Sequence, residues 1–77
     1  KFDNYNLRME QDLRKKLAHN LKVERAKNEL TQEKLAELSG ISAKHITKIE
    51  SAKVSPSIYI VYKLAKILNT SIDELVN

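Results

Sequence analysis

Residues 32 to 51 read QEKLAELSGISAKHITKIES, and this stretch decides the fold. Leu35, Ala36, Leu38, Ile41, Ile46 and Ile49 are spaced as on one side of a helix, but Gly40 breaks the run in two. Two short amphipathic helices joined by a tight turn are therefore expected. Gly40, the single glycine of the chain, suits the left-handed backbone such a turn needs. Ala36 is small enough to let the two helices cross closely. The second run buries Ile46 and Ile49 and turns Ala43, Lys44, Thr47 and Lys48 outward, a face without an acidic side chain.

Upstream, Leu13, Leu17 and Leu21 recur every four residues, joined by Ala18, and this stripe continues to Asn28. It predicts one long helix, or a short one followed by a long one. Residues 1 to 6, KFDNYN, lack helical period and read as a loose arm in which Phe2 and Tyr5 are free to dock. Residues 1–12 are thus an arm or extension of the first helix. Residues 13–77 form the domain, with the two-helix unit at 32–51.

Thr31 is a good N-cap for a helix from Gln32 to about Ser39, and Ser42 caps the next, to about Ser51. Ser55-Pro56 reads as a further start, serine as cap and proline at the first helical position. The helix that follows is expected to turn Ile58, Val61, Leu64, Ala65 and Leu68 inward and to end at Asn69 in the left-handed conformation. Ser71 caps a last short helix, with Asp73 and Glu74 in its first turn and Ile72, Leu75 and Val76 packing back. One Pro and one Gly in 77 residues fit nearly continuous helix, so the fold class is all-α with five helices.

Seventy-seven residues allow one domain with a small core. With no cysteine there is no disulfide framework or thiolate metal site, and His19 and His45 are too few for an ordinary zinc site. No cofactor or metal is expected. No apolar run nears the roughly 18 residues of a membrane span, and no secretory signal is visible, so a cytoplasmic protein is the default. The first residue is Lys, so a longer parent chain is expected. A formal charge of +4 is compatible with a polyanionic partner and decides nothing alone.

The outward face of the second short helix has the chemistry of a base reader. Lys44 and Lys48 can donate to guanine O6 and N7 or to phosphate, Thr47 can donate or accept, and Ala43 can touch a thymine methyl. Around it lie groups suited to phosphates: Gln32 and Ser42 at two helix N-termini, with His45, Ser51 and Lys53 nearby. A major groove about 12 Å wide admits such a helix. Nothing in the chain resembles a nucleophile–base pair, a phosphate loop or a paired-carboxylate site, and an enzyme is not expected.

The segment from about Leu17 to Val76 resembles the Cro/C1-type (xenobiotic-response-element-like) family of helix-turn-helix regulators. The matching elements are LAHNLKVERAKNELTQEKLAELSGIS, the Ile-x-x-Ile-Glu ending at Glu50, Ser-Pro-Ser-Ile at 55–58, and KLAKILNTSIDEL at 63–75. The resemblance implies a lambda-repressor-like DNA-binding domain, here with an N-terminal extension. It further implies a buried ion pair between Arg25 and Glu50, phosphate contacts from Gln32, Ser42 and Ser51, and Ala43, Lys44, Thr47 and Lys48 facing bases. The expected partner is a two-fold symmetric double-stranded operator bound by a homodimer, with recognition helices about one DNA turn, roughly 34 Å, apart. Sequence-specific binding by a bacterial or phage transcriptional regulator, commonly a repressor, is the primary expectation.

Two departures stand out. Where relatives often carry glycine, this chain has Ala52, so the loop leaving the recognition helix is expected to take another path. Tyr59 and Ile60 replace polar residues and mark a candidate dimer or partner surface. They carry the alternative reading, an antitoxin-like module that binds a partner protein through the fourth helix and the arm, with DNA binding secondary.

Overall fold

The computed structural model describes residues 4–77, with side chains from Leu7 onward, as five helices: α1 (Asn4–Lys27), α2 (Gln32–Ser39), α3 (Ala43–Glu50), α4 (Ile58–Ile67) and α5 (Ile72–Val76). The described residues contain no strand, as an all-α reading requires. The core is built from Leu17 and Leu21 of α1, Leu35 of α2, Ile46 and Ile49 of α3, and Leu64, Leu68 and Leu75 from the C-terminal third. α1 packs on α3 and α5, α2 packs on α3 and α4, and α4 closes against α5. Two side chains lace the C-terminal third to α1: Asn20 Nδ2 donates to Leu75 O (2.9 Å), and Asn28 Nδ2 donates to Leu68 O (3.1 Å). Both satisfy carbonyls at helix ends, where no intrahelical donor is available.

α1 is a single helix, and it corrects the reading of residues 1–6 as an arm without helical structure. Asn4–Asn6 belong to its first turns, while Lys1–Asp3 and the docking of Phe2 and Tyr5 lie outside what is described. At 1.5 Å per residue its 24 residues are about 36 Å long, nearly the 41 Å long axis of the molecule. Its early turns therefore outrun the core, and Leu7, Met9 and Leu13 are exposed. No apolar stripe marks a helical segment that packs on little. Leu7, Arg8, Met9, Glu10 and Gln11, all good helix formers, sustain it, aided by the Glu10–Arg14 pair one turn apart (2.6 Å), whose Arg14 Nε also donates to Ser55 Oγ (2.9 Å).

The start of α4 also differs from expectation. The N-cap is Ser57, whose Oγ accepts from Ile60 N (3.2 Å), and Pro56 precedes the helix instead of opening it. Ser55 is occupied elsewhere: its Oγ accepts from Arg14 and donates to Glu10 Oε2 (3.3 Å). Val61, Leu64, Ala65 and Leu68 are buried as expected, but Ile58 is 69% exposed. It sits one turn before the first buried position, beyond the body of the core. There, with Leu13, Leu17, Pro56, Val61 and Val76, it lines an apolar groove between α1 and α4.

Three of the four connections turn through a non-glycine residue in the left-handed region: Glu29 (φ 56°), Ala52 (φ 62°) and Asn69 (φ 57°). Each closes the same pair of reverse hydrogen bonds, shown after α3 by Ala52 N to Ile49 O (3.1 Å) and Lys53 N to Lys48 O (3.0 Å). Ala52 thus adopts the conformation a glycine would take, and the expected divergence of this loop is overturned. The six-residue hydrogen-bond ring selects the conformation more strongly than the Cβ opposes it. A left-handed non-glycine residue costs about 1–2 kcal/mol, and a glycine adds unfolded-state entropy of about 0.4–1 kcal/mol. Ala52→Gly is therefore expected to stabilise the domain by about 0.5–1 kcal/mol in a thermal or urea melt. A lower melting point would show that the alanine methyl is packed rather than strained.

Candidate nucleic-acid interface

The face is assembled from the ends of α2 and the length of α3. Thr31 adopts extended backbone and its side chain accepts from Lys34 N (3.0 Å), which fixes the start of α2 and leaves Gln32 in its first turn. α2 stops at Gly40 (φ 74°), whose N–H donates to Ala36 O (2.9 Å). Its chain neighbours aside, only Lys63 Nζ among the described residues comes as near as 4.0 Å to where a Cβ would stand, so conformation rather than space requires the glycine. Buried Ser39 staples the turn: its Oγ donates to Ala36 O (3.4 Å) and accepts from Ile41 N (3.1 Å). Ser42 then caps α3 by accepting from His45 N (3.1 Å).

α3 is divided lengthwise. Ile46, Ile49 and Glu50 are buried, whereas Lys44, Thr47, Lys48 and the following Ser51 are exposed. Ala43 and His45 are half-buried at the margin, and Lys53 is exposed just beyond. Among the described residues no carboxylate pairs with Lys44, Lys48 or Lys53, so this edge carries uncompensated positive charge. Two helix N-termini, of α2 and α3, add their partial positive charge nearby.

Beneath this face lies a hydrogen-bonded hub. Arg25 Nε donates to Glu50 Oε2 (2.8 Å) and Arg25 Nη2 to Glu50 Oε1 (3.0 Å), a two-pronged pair between α1 and the end of α3. Arg25 Nη1 donates to Leu30 O (2.9 Å), so one guanidinium also holds the α1–α2 turn. The Glu50 side chain is 4% exposed. Its hydrogen bond, partly opposed by burial, raises the Arg25 pKa above the ordinary guanidinium value, and Arg25 stays charged wherever the domain is folded. Gln32 Nε2 donates to Glu50 Oε1 (2.8 Å), and Thr47 Oγ1 donates to Gln32 Oε1 (3.0 Å). The chain Arg25–Glu50–Gln32–Thr47 thus runs from beneath α3 to its solvent face. The periodicity of the sequence holds no sign of the Gln32–Thr47 contact, because both residues are polar and fifteen positions apart.

Not every phosphate candidate is equally free. The Ser42 hydroxyl accepts its cap bond and keeps its own proton for an outside acceptor. Ser51 has both donors committed, its N–H to Thr47 O (3.0 Å) and its Oγ to Lys48 O (3.1 Å). A side-chain contact to phosphate from Ser51 requires that hydroxyl to turn away from Lys48. The candidate partner surface separates too: Tyr59 is 61% exposed with Lys63 Nζ 5.2 Å from its ring centroid, whereas Ile60 is half-buried against the core.

Two capped helices around a left-handed glycine, with the second presenting a basic, acid-free face, define a helix-turn-helix protein. The HTH_3 (Helix-turn-helix) family model matches residues 21–75, and the chain belongs to that family of DNA-binding transcriptional regulators. It is 36% identical over 55 residues to an HTH-type transcriptional regulator of Archaeoglobus fulgidus, covering 71% of this chain and 78% of the relative. With Control protein C.SmaI of Serratia marcescens it shares 38% over 64 residues, 83% of this chain and 76% of that protein. The fold is similar to the hypothetical transcription factor NHTF from Neisseria (TM-score 0.82, 28% identity, 88% of this chain and 78% of that one). It also resembles an HTH_3 family transcriptional regulator from Vibrio cholerae (TM-score 0.80, 27% identity), covering 86% of this chain but spanning only 37% of that structure. Among the described residues no helix is long and apolar enough to cross a membrane.

Proposed function

We propose that this domain binds a specific double-stranded operator by laying α3 in the major groove, and that it does so as a homodimer on a two-fold symmetric site. The observation that carries the reading is the lengthwise division of α3. One side is fixed by Ile46, Ile49 and Glu50, while the other offers Lys44, Thr47 and Lys48 to solvent without a carboxylate. Lys44, Thr47 and Lys48, with Ala43 at the margin, contact base edges. Gln32, Ser42, His45 and Lys53 contact phosphates, joined by Ser51 if its hydroxyl rotates. Occupying an operator would let the protein block polymerase, as a repressor, or recruit it. The homodimer draws support from the exposed apolar side chains Leu13, Ile58, Tyr59 and Tyr62, outside the reading face, which a second copy can cover. Exposed Tyr59 also leaves room for the antitoxin-like alternative.

Selection of bound duplexes from a random pool tests this directly. The expected product is an inverted repeat whose half-site centres are about 10 base pairs apart. Lys48→Ala should then weaken the selected site by roughly 5- to 100-fold while weakening scrambled DNA less. Equal loss on both would make Lys48 a backbone contact, and an unenriched pool would remove sequence-specific binding altogether.

A further inference from the structure

The hydroxyl of Thr47 has one proton and two fixed acceptors, Gln32 Oε1 and the Ala43 carbonyl, each 3.0 Å away. The Ala43 oxygen is held by the helix. The Gln32 oxygen is held by charge: the Glu50 carboxylate, already paired with Arg25, can only accept, so Gln32 must turn its Nε2 towards Glu50 and its Oε1 towards Thr47. Whichever of the two oxygens takes the proton, none remains for a ligand, and the lone pairs of Oγ1 are what Thr47 presents outward. Offering the proton to DNA would mean abandoning both internal acceptors.

From this geometry we propose that Thr47 reads DNA as a hydrogen-bond acceptor only, selecting a base whose major-groove edge carries an exocyclic amino group, adenine N6 or cytosine N4. Guanine O6 and N7 and thymine O4 are themselves acceptors and have nothing to give it. Lys44 and Lys48 bring donors only, so the face combines donating lysines with an accepting threonine. Its preferred half-site therefore mixes guanine under a lysine with adenine or cytosine under Thr47. The inference rests on the reading of α3 as the recognition helix.

The test uses the selected duplex and quantitative binding of the native chain and Thr47→Val, which keeps the shape and removes the hydroxyl. The base pair at which Thr47→Val flattens the preference identifies the contact. At that pair adenine is replaced by purine, or cytosine by 2-pyrimidinone, to delete the amino group, and in a separate duplex 7-deazaguanine removes guanine N7. The expected result is a loss of about five- to tenfold for the native chain on deleting the amino group, and no comparable loss for Thr47→Val. A loss confined to 7-deazaguanine, or a base preference that Thr47→Val leaves unchanged, overturns the acceptor assignment while the recognition helix stands. Failure to obtain any enriched duplex overturns the reading of α3 and this inference with it.

Discussion

Arg25→Met is expected to lower the stability of the domain by about 3–5 kcal/mol, because it strands the Glu50 carboxylate in a site where that side chain is only 4% exposed. The arginine makes three charge-assisted hydrogen bonds to two different segments, and methionine replaces none of them. A domain of this length is worth roughly 4–12 kcal/mol in total, so the loss is a large fraction, and the melting temperature should fall by roughly 15 °C or more. Urea unfolding of both chains measures it. The double variant Arg25→Met/Glu50→Leu should recover most of the loss, since a buried pair contributes little beyond an apolar replacement of similar size. A single-variant loss below about 1 kcal/mol would place the pair with exposed ion pairs and deny it the role of a hub.

Salt should act nearly as strongly on DNA binding. Lys44, Lys48 and Lys53 are exposed and without ion-pair partners among the described residues, so each brings to the DNA a charge that displaces a counterion, at a base edge for Lys44 and Lys48 and at a phosphate for Lys53. The logarithm of affinity falls by about 0.9 per neutralised phosphate for each tenfold rise in salt. Three contacts from one protomer imply roughly a 40-fold weakening between 50 and 200 mM salt; six contacts from a dimer imply roughly 10³-fold. Fluorescence anisotropy over that range therefore reports both the charge mechanism and the number of protomers on the site. An affinity that changes less than about fivefold would mean that these lysines do not approach the DNA.

The features legible in the sequence are those that depend on a residue and its near neighbours. Thr31, Ser42 and Ser71 cap their helices because a hydroxyl reaches a backbone N–H three residues on, and Gly40 and Asn69 turn left-handed for equally local reasons. The buried stripe of Leu17, Leu21, Val61, Leu64 and Leu68 follows from helical period. Sequence and structure part where two local signals compete and a distant partner chooses between them. Ser55 and Ser57 both suit a helix start; Arg14, forty-one residues from Ser55, engages one and leaves the other to cap. Ile58 has the spacing of a core residue, yet the core begins one turn later, at Val61. The proposed reading face is visible in the sequence as a pattern of Lys44, Thr47 and Lys48. Its hydrogen-bond polarity is not, because Glu50 imposes that polarity through Gln32.

The hub also bears on how such a protein changes its target over generations. Arg25 and Glu50 are tied to each other across the fold, so altering either disturbs folding before it alters preference, and Gln32 is tied to Glu50 in turn. Lys44 and Lys48 take no part in it and are free to drift. If α3 is the recognition helix, as proposed, new operators would be reached through the outer lysines first. Thr47, wired to the frozen half by one hydrogen bond, would then be the letter of the binding code that changes last.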